Sequence, residues 1–412
     1  MEQHTNSQIK RIEIIDALRG FSLAGIVFAH FLENFVAGPL PETAIASMNA
    51  GIMDQIANGL VDFFLRGKFF ALFSFLFGLS FFIQMENGEK RGIYFGGRFL
   101  WRLVLLFVIG FLHSLFYRGD ILTIYAVMGL FLIPFYKFSN KWILVTATLL
   151  FLGIGRFLVF YITQGNGLFI EQNFDPNSPL TLAYFEVLKN GSLFEVFDAN
   201  ALNGNLSKIE FQFGVFSRGY LTLGFFLLGL YMGKREFFKN YLNENKFIQG
   251  MWIGALVLLF IAICGMIGIF TNLGPGMDFN TWPAMFGLTF FDLMNIAFTI
   301  LIIAIFVILY KKRKPKSFLQ KFIPYGRMAL TNYVLQSIVG TFIFFGWGLG
   351  YLAEIPSRYV FLMAIAVIGV QIWLSKLWLR HFAYGPLEWA WRSLTFFKLY
   401  PMRRNGTVSK DH

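Results

Sequence analysis

Long apolar runs constrain this chain more than any other feature of its sequence. A helix crosses about 30 Å of hydrocarbon in about 20 residues, and backbone groups in lipid must be paired within helices or a closed barrel. Runs of this length without polar alternation are typical of helices. The sequence therefore predicts an all-α fold, a polytopic transmembrane helix bundle in one membrane domain over residues 1–412. The predicted spans number about ten, at roughly 14–37, 66–86, 97–117, 120–136, 141–163, 213–233, 247–270, 284–310, 327–350 and 357–380.

The composition supports a membrane protein. Hydrophobic residues make up 56% of the 412 and charged residues only 14%, against about 25% charged in soluble domains. The net charge of +12 would indicate nucleic acid in a soluble protein, but Lys and Arg collect on the cytoplasmic side of membrane proteins. We therefore expect the lipid bilayer, and no nucleic acid, as a partner. The single Cys264 allows no internal disulfide, and no metal-ligand spacing is present.

The distribution of charge predicts the orientation. With the N-terminus inside, the inner segments carry most of the Lys and Arg, up to a basic tail with Arg403 and Arg404. The segment 164–212 then lies outside, with six acidic residues against Lys189 and Lys208. This asymmetry predicts that both termini are cytoplasmic.

Two segments outside the spans have their own helix signals. Within the extracytoplasmic segment 164–212, Ser178 followed by a proline is typical of an N-cap. A short surface helix is predicted there because apolar residues follow at helical spacing, namely Leu180, Ala183, Tyr184, Val187 and Leu188. Residues 381–412 are predicted to form a cytoplasmic tail that contains an interfacial helix. Glu388 and Arg392 are four residues apart in it and are expected to brace that helix.

Ionisable residues inside predicted spans are the strongest candidates for function, because they are costly in a membrane. His30 lies fourteen residues past Asp16, about 21 Å deeper at 1.5 Å per residue, and His113 lies fifteen residues past Arg98. Asp120 opens the next span, so all three candidates are predicted at one level in the outer half. A His beside a carboxylate suits general-base catalysis. The structural alternative is a His that hydrogen-bonds a neighbouring backbone carbonyl.

Arginines mark the inner ends of the first and third spans. Arg11 and Arg19 flank Asp16, and Arg98 and Arg102 share one helix face. Arg binds phosphate well, so a phosphate-rich ligand is one interpretation. The alternative is that these side chains snorkel to the interface and pair with Asp16.

Several strings together resemble the YeiB-like bacterial membrane family, long catalogued as domain of unknown function 418. The similarity extends over nearly the whole chain. The strings are Arg11-x4-Asp16-Ala17-Leu18-Arg19-Gly20-Phe21, Gly67-Lys68-Phe69, Leu72-Phe73-Ser74-x2-Phe77-Gly78, Gly110-Phe111-Leu112-His113, Gly119-Asp120-Ile121-Leu122-x2-Tyr125-Ala126, Gly326-Arg327-Met328-Ala329-Leu330-Thr331-Asn332-Tyr333-x2-Gln336-Ser337 and Gly385-Pro386-Leu387-Glu388-Trp389-x-Trp391-Arg392.

That family resembles a wider group of membrane acyltransferases, in which an Arg is followed by Asp-x2-Arg and by a His fourteen residues after the Asp. Asp16, Arg19 and His30 keep this spacing, although YeiB-like chains often have Asn where this chain has His30. The resemblance implies transfer of an acyl group from cytoplasmic acyl-CoA, as co-substrate rather than bound cofactor, to a hydroxyl or amine. The acceptor would be an extracytoplasmic small molecule, glycan or lipid, and the location a bacterial inner membrane. The oligomeric state, a homodimer included, is left open.

The implied roles fall on residues at both ends of the bundle. His113, backed by Asp120 and with His30 nearby, acts as general base or carries the acyl group. The side chains of Asn332 and Gln336 donate hydrogen bonds to the oxyanion. The CoA phosphates are expected near four basic side chains, those of Arg11, Arg19, Arg98 and Arg102.

A proton-coupled transporter or a flippase is the competing class, because buried His and Asp also serve as proton relays. Transporters often contain inverted repeats and broken helices. The sequence has no convincing repeat beyond a short resemblance between residues 75–79 and 226–230. This favours the acyltransferase.

Overall fold

The computed structural model describes residues 12–90, 92, 95–170, 175–273 and 280–404. In these ranges the regular structure is helical, with one isolated β-bridge between Phe382 and Arg403, so the predicted all-α fold is confirmed. The α-helices are α1 Glu13–Leu32, α2 Glu42–Met48, α3 Ile52–Phe64, α4 Lys68–Glu89, α5 Gly96–Phe116, α6 Leu122–Phe135, α7 Asn140–Phe151, α8 Ile154–Thr163, α9 Pro179–Asn190, α10 Leu193–Ala199, α11 Asn205–Phe213, α12 Arg218–Lys234, α13 Phe237–Asn240, α14 Asn245–Leu273, α15 Trp282–Lys311, α16 Arg313–Leu319, α17 Ile323–Arg327, α18 Ala329–Phe344, α19 Ser357–His381 and α20 Pro386–Phe396.

Six helical stretches of the described chain are long and apolar enough to cross a membrane: α1, α3–α4, α5, α14, α15 and α19. Two further pairs are bent, α7 with α8 by 49° and the stretch ending in α11 with α12 by 60°. The helices α6 and α18 are apolar but shorter. These helices lie where the ten runs were predicted, which confirms a polytopic helical bundle. The count of ten and the orientation stay predictions.

The helices α4 and α12 cross with their backbones in contact. A Cβ atom on Gly78 would lie 1.9 Å from the carbonyl oxygen of Phe226, and one on Gly229 would lie 2.0 Å from that of Phe75. Glycine is therefore required at both positions, as at other close helix crossings in membranes. The short resemblance between residues 75–79 and 226–230 lies at this crossing.

Two helices outside the spans are confirmed. Ser178 caps α9 by accepting a hydrogen bond from the Thr181 backbone amide, and α20 is the helix predicted in the C-terminal segment. Leu188 on α9 is buried, whereas Leu180 is exposed, so only part of the predicted apolar face is covered. The sequence analysis did not predict α2, α3, α10 and α11.

Glu388 and Arg392, which were expected to brace α20, contact different parts of the structure. The Glu388 carboxylate accepts hydrogen bonds from the backbone amides of Leu330 (2.7 Å) and Thr331 (3.1 Å), and thereby caps the start of α18, which has no side-chain cap of its own. The Arg392 guanidinium lies 4.7 Å from the ring centroid of Tyr400. The helix α20 is thus fixed against α18 and its own C-terminal segment.

The start of α1 is held on two sides. Arg19 donates hydrogen bonds to Asp16 (2.9 Å) and to Ser80 on α4 (2.9 Å), which confirms the expected ion pair of Asp16. A Cβ atom on Gly20 would lie 2.2 Å from the Phe322 carbonyl oxygen. Close packing of α1 on the segment before α18 aligns the two helices that carry His30 and Gln336.

Candidate active site in the helix bundle

The hairpin between α5 and α6 joins His113 to Asp120. His113 Nδ1 lies 2.8 Å from Asp120 Oδ1, and both side chains are buried. The Asp120 carboxylate also accepts hydrogen bonds from the backbone amides of Leu122 (3.1 Å) and Thr123 (2.9 Å), the first free amides of α6. Asp120 therefore starts α6 and orients the imidazole on α5 with the same carboxylate.

A lysine from the segment 164–212 completes this pair. Lys208 on α11 donates a hydrogen bond to Thr123 Oγ1 (2.9 Å), and its Nζ lies 3.9 Å from Asp120 Oδ2. Thr123 Oγ1 in turn donates to Asp120 Oδ2 (2.9 Å). Because an ionised carboxylate only accepts, the neutral form of the His113 imidazole carries its proton on Nδ1 in this arrangement and its lone pair on Nε2.

Nε2 of His113 is the atom of this site that can act as a base or a nucleophile. It is buried and has no hydrogen-bond partner among the described residues. The rings of Tyr333 and Tyr117 lie 5.1 Å and 6.2 Å from the imidazole, centroid to centroid. A neutral imidazole held in this way can take a proton or attack a carbonyl carbon.

His30 lies beside the same two tyrosines. Its ring centroid is 4.9 Å from that of Tyr117 and 6.2 Å from that of Tyr333, and its Nδ1 is 3.4 Å from the amide nitrogen of Gln336. Gln336 Oε1 is buried without a hydrogen-bond partner in the described part of the chain. The structure thus brings His30, His113, Asp120 and Gln336 together. The depth of this group in the membrane stays a prediction.

Asn332 does not join them. Its amide nitrogen donates to the Met328 carbonyl (3.0 Å) and to Ser375 Oγ on α19 (2.9 Å), and Gln371 on α19 donates to the Asn332 carbonyl (3.2 Å). These contacts hold α18 against α19. Both amide protons of Asn332 are used in these contacts, which favours a structural role. The role of Asn332 as a donor to an oxyanion stays a prediction.

The arginines expected at a phosphate site lie in two places. Arg19 is engaged by Asp16, whereas the guanidinium carbons of Arg98 and Arg102 lie 5.4 Å and 3.9 Å from the ring centroids of Phe396 and Trp391 on α20. Arg11 falls outside the described residues. These contacts favour the structural alternative for Arg19, and the phosphate role of Arg98 and Arg102 stays a prediction.

A buried ion pair in the bundle was missed. Arg156 on α8 pairs with Asp292 on α15, and it also donates to Thr289 Oγ1 (2.7 Å) and to the Val215 carbonyl (2.7 Å). Both charges stand inside predicted apolar runs, so the rule that identified the histidines could have found them. Lys208 had no such signal, because it lies in the polar segment 164–212.

No three described His, Cys, Asp or Glu side chains converge as metal ligands would. The titratable groups of the site are instead one His–Asp–Lys chain, with His30 at its edge. Apolar helices around buried, paired charges define a polytopic membrane protein with an internal polar site.

Comparison with known proteins gives the family. Residues 232–398 match the family described as "Protein of unknown function (DUF418)". The uncharacterized protein YxaH of Bacillus subtilis (strain 168) is 30% identical, over 97% of this chain and 98% of its own length. An uncharacterized 39.9 kDa protein of Bacillus acidopullulyticus is 26% identical over 95% and 96%, and YeiB of Escherichia coli (strain K12) is 25% identical over 94% and 97%. The chain belongs to this YeiB-like family.

Proposed function

We propose that this chain is a membrane acyltransferase that moves an acyl group from cytoplasmic acyl-CoA to an extracytoplasmic hydroxyl or amine. The bacterial relatives support a bacterial cytoplasmic membrane as its location. The observation that carries the proposal is the buried Nε2 of His113, which has no hydrogen-bond partner in the described ranges, while Nδ1 is held by Asp120. This is the arrangement of a general base whose tautomer is fixed by a carboxylate.

The proposed reaction balances without a further reactant. His113 Nε2 takes the proton of the acceptor, the acceptor's oxygen or nitrogen forms a bond to the thioester carbonyl, the carbon–sulfur bond breaks, and the proton passes to the CoA thiolate. Gln336 donates to the oxyanion. In the variant with an acyl-enzyme, Nε2 attacks the thioester carbon, the carbon–sulfur bond breaks and CoA leaves as the thiolate. The acceptor then bonds to the acyl carbon, the bond from that carbon to Nε2 breaks, and the acceptor's proton passes to the CoA thiolate.

Arg98 and Arg102 are the residues we propose for the CoA phosphates. They lie near the start of α5 and His113 lies near its end. At 1.5 Å per residue, Arg98 is about 22 Å and Arg102 about 16 Å from His113 along the helix. A thioester on a long arm would cross this distance inside the bundle. The acceptor would reach His113 from the opposite membrane face.

A proton-coupled transporter or flippase is the second candidate. The observation that favours it is Lys208, 3.9 Å from the carboxylate that also holds His113. Three titratable groups in a row, away from lipid, are typical of a proton relay.

Turnover of acyl-CoA by the purified protein in detergent separates the two candidates. Wild type, His113→Ala and His381→Ala are incubated with acetyl-, butyryl- or palmitoyl-CoA, and free thiol is followed. His381 is the matched control, since it is exposed at the end of α19. We expect turnover, or a covalent acyl adduct, in wild type and His381→Ala and its loss in His113→Ala. If no acyl-CoA is turned over or bound by wild type, the acyltransferase is ruled out and uptake into proteoliposomes becomes the test.

A further inference from the structure

A second polar cluster lies where α4 and α12 begin. Arg66 and Gly67 precede α4, Lys68 opens it, Arg218 opens α12, and Asn295 comes from α15. Gly67 has a φ of +80°, and a Cβ atom on it would lie 3.2 Å from Asn295 Oδ1 and 3.6 Å from Arg218 Nη1. The glycine therefore lets both side chains approach the backbone closely.

The three cations of this cluster differ in what they bind. Arg66 Nε lies 3.1 Å from Glu33 Oε1 and 3.2 Å from Asp62 Oδ1, so its charge is compensated. Lys68 is 1% exposed, and its ammonium donates a hydrogen bond to the Asp62 carbonyl (3.0 Å). An ammonium has three donors, and this is the one hydrogen bond that Lys68 Nζ makes within the described residues.

Arg218 has no carboxylate partner among the described side chains. Its guanidinium carbon lies 5.9 Å from the ring centroid of Phe70 and 6.0 Å from that of Phe211. The nearby Asp292 is held by Arg156. A half-buried guanidinium that lies beside aromatic rings and has no carboxylate partner is energetically costly at the end of an apolar helix. A bound anion would therefore stabilise the Arg218 side chain.

Asn295 supplies the second, independent observation. It is 3% exposed, and its amide nitrogen donates to the Phe291 carbonyl (3.0 Å), which fixes the orientation of the amide. Its Oδ1 is buried without a hydrogen-bond partner in the described ranges. A buried, unsatisfied acceptor is costly, and it is satisfied by a ligand that donates a hydrogen bond, such as a hydroxyl.

We propose that Lys68, Arg218 and Asn295 form a subsite for a phosphate ester that carries a neighbouring hydroxyl. Phosphate oxygens can accept from the ammonium and the guanidinium together, and the hydroxyl donates to Asn295 Oδ1. This inference rests on the proposed function in one respect, that the phosphate ester is the acyl acceptor. A soluble phosphate ester and an anionic lipid headgroup share this chemistry.

Binding is measured without acyl-CoA, so that the subsite is tested apart from the reaction. In the soluble arm, wild type in phosphatidylcholine nanodiscs is titrated with sn-glycerol 3-phosphate by calorimetry. In the lipid arm, the unfolding temperature is followed as phosphatidylglycerol replaces phosphatidylcholine. We expect saturable binding in one arm. Loss of a hydrogen bond to a charged group is expected to weaken it about tenfold or more in Arg218→Gln, and Asn295→Asp is expected to abolish it by charge repulsion.

Two controls give each outcome one meaning. Arg235→Gln, whose guanidinium pairs with Glu244 instead, is expected to bind like wild type. Arg218→Lys keeps the charge. The unfolding temperatures of Arg218→Lys and Arg218→Gln without ligand show whether loss of binding in Arg218→Gln reflects misfolding. Saturation in either arm supports the subsite and identifies the source of the phosphate. No saturation in either arm, or wild-type affinity in both Arg218→Gln and Asn295→Asp, overturns it. Intact binding without any acyl-CoA turnover would overturn the proposed function and leave the subsite standing.

Discussion

At the scale of single residues, Asp120 does three things with one carboxylate. It orients the His113 ring, it accepts hydrogen bonds from the first free backbone amides of α6, and its negative charge compensates the positive charge of Lys208. A buried charge that serves several partners is strongly destabilising to remove, because each partner is left unsatisfied.

Asp120→Asn is therefore expected to lower both stability and turnover. The variant leaves the Lys208 ammonium buried without a compensating charge, which costs about 3–5 kcal/mol. The double variant Asp120→Asn/Lys208→Met removes the stranded charge, so we expect most of the thermal stability to return. Turnover is expected to stay low, because neither variant has the carboxylate that orients His113. The measurements are unfolding temperature in detergent and release of free thiol.

Two outcomes would contradict this account of Asp120. If Asp120→Asn unfolds at the wild-type temperature, Lys208 does not depend on this carboxylate. If the double variant regains turnover together with stability, Asp120 acts on folding alone.

How far the sequence predicts the site depends on the kind of information each residue carries. Counting residues from the inner charges placed His30, His113 and Asp120 at one depth, and the structure has them in one group. The contacts of Asn332 with α19 were not predicted, because a single sequence does not give the rotation of α18, which turns its amide to α19. Lys208 was missed because nothing in a polar segment indicates which side chain returns to the bundle.

At the scale of the elements, helix ends and crossings are fixed by residues far away in the chain. Glu388 on α20 caps α18, and Gly78 and Gly229 permit the crossing of α4 and α12. Helix periods and lengths are visible in a sequence, but the partner that satisfies a helix end is not. For this reason the helices were predicted and their mutual contacts were not.

The Glu388 cap makes stability depend on pH. Burial raises the pKa of Glu388 above its ordinary value of 4.5, although hydrogen bonds from Thr331 and Leu330 oppose this. The folded state therefore binds the proton more tightly than the unfolded state, and stability falls as pH rises from about 4.5 through the raised pKa. Glu388→Gln is expected to remove this dependence. The pH dependence is measured from the unfolding temperatures of wild type and Glu388→Gln between pH 4 and pH 8. Parallel curves for the two proteins would contradict the predicted role of Glu388.

The α4–α12 crossing is tested by matched alanine substitutions. Gly78→Ala places a methyl group against the Phe226 carbonyl, and because the obstacle is backbone, at least about 2 kcal/mol of stability is expected to be lost. Gly254→Ala on α14 has no heavy atom within 4 Å of its new Cβ. We expect it to leave stability unchanged or to raise it by up to about 1 kcal/mol, since alanine is the better helix former. Equal unfolding temperatures for the two variants would show that the crossing adapts.

At the scale of the whole molecule, the apolar runs predicted the architecture because the bilayer sets a minimum length for every span. The bends were beyond the sequence. The chain turns by 49° between α7 and α8 and by 60° before α12, and the Arg156 side chain links the two breaks through the carbonyls of Val215 and Phe216.

The orientation is open to direct measurement because the chain has one cysteine. In a Cys264→Ser background, Glu186→Cys places an exposed thiol on α9 and Lys314→Cys places one on α16. With both termini cytoplasmic, a membrane-impermeant maleimide is expected to label the first in intact cells and the second only after permeabilisation. The reverse pattern would invert the orientation and move His113 to the cytoplasmic half.

The Arg156–Asp292 pair has a consequence for biosynthesis. The two residues are 136 positions apart, so the ribosome completes Arg156 long before its counterion exists. A lone guanidinium is costly in hydrocarbon, so we expect the bent pair α7–α8 to stay at the translocon or the interface until α15 has been inserted. Assembly of this protein would then not be sequential, because an early span would enter the lipid only together with a late one.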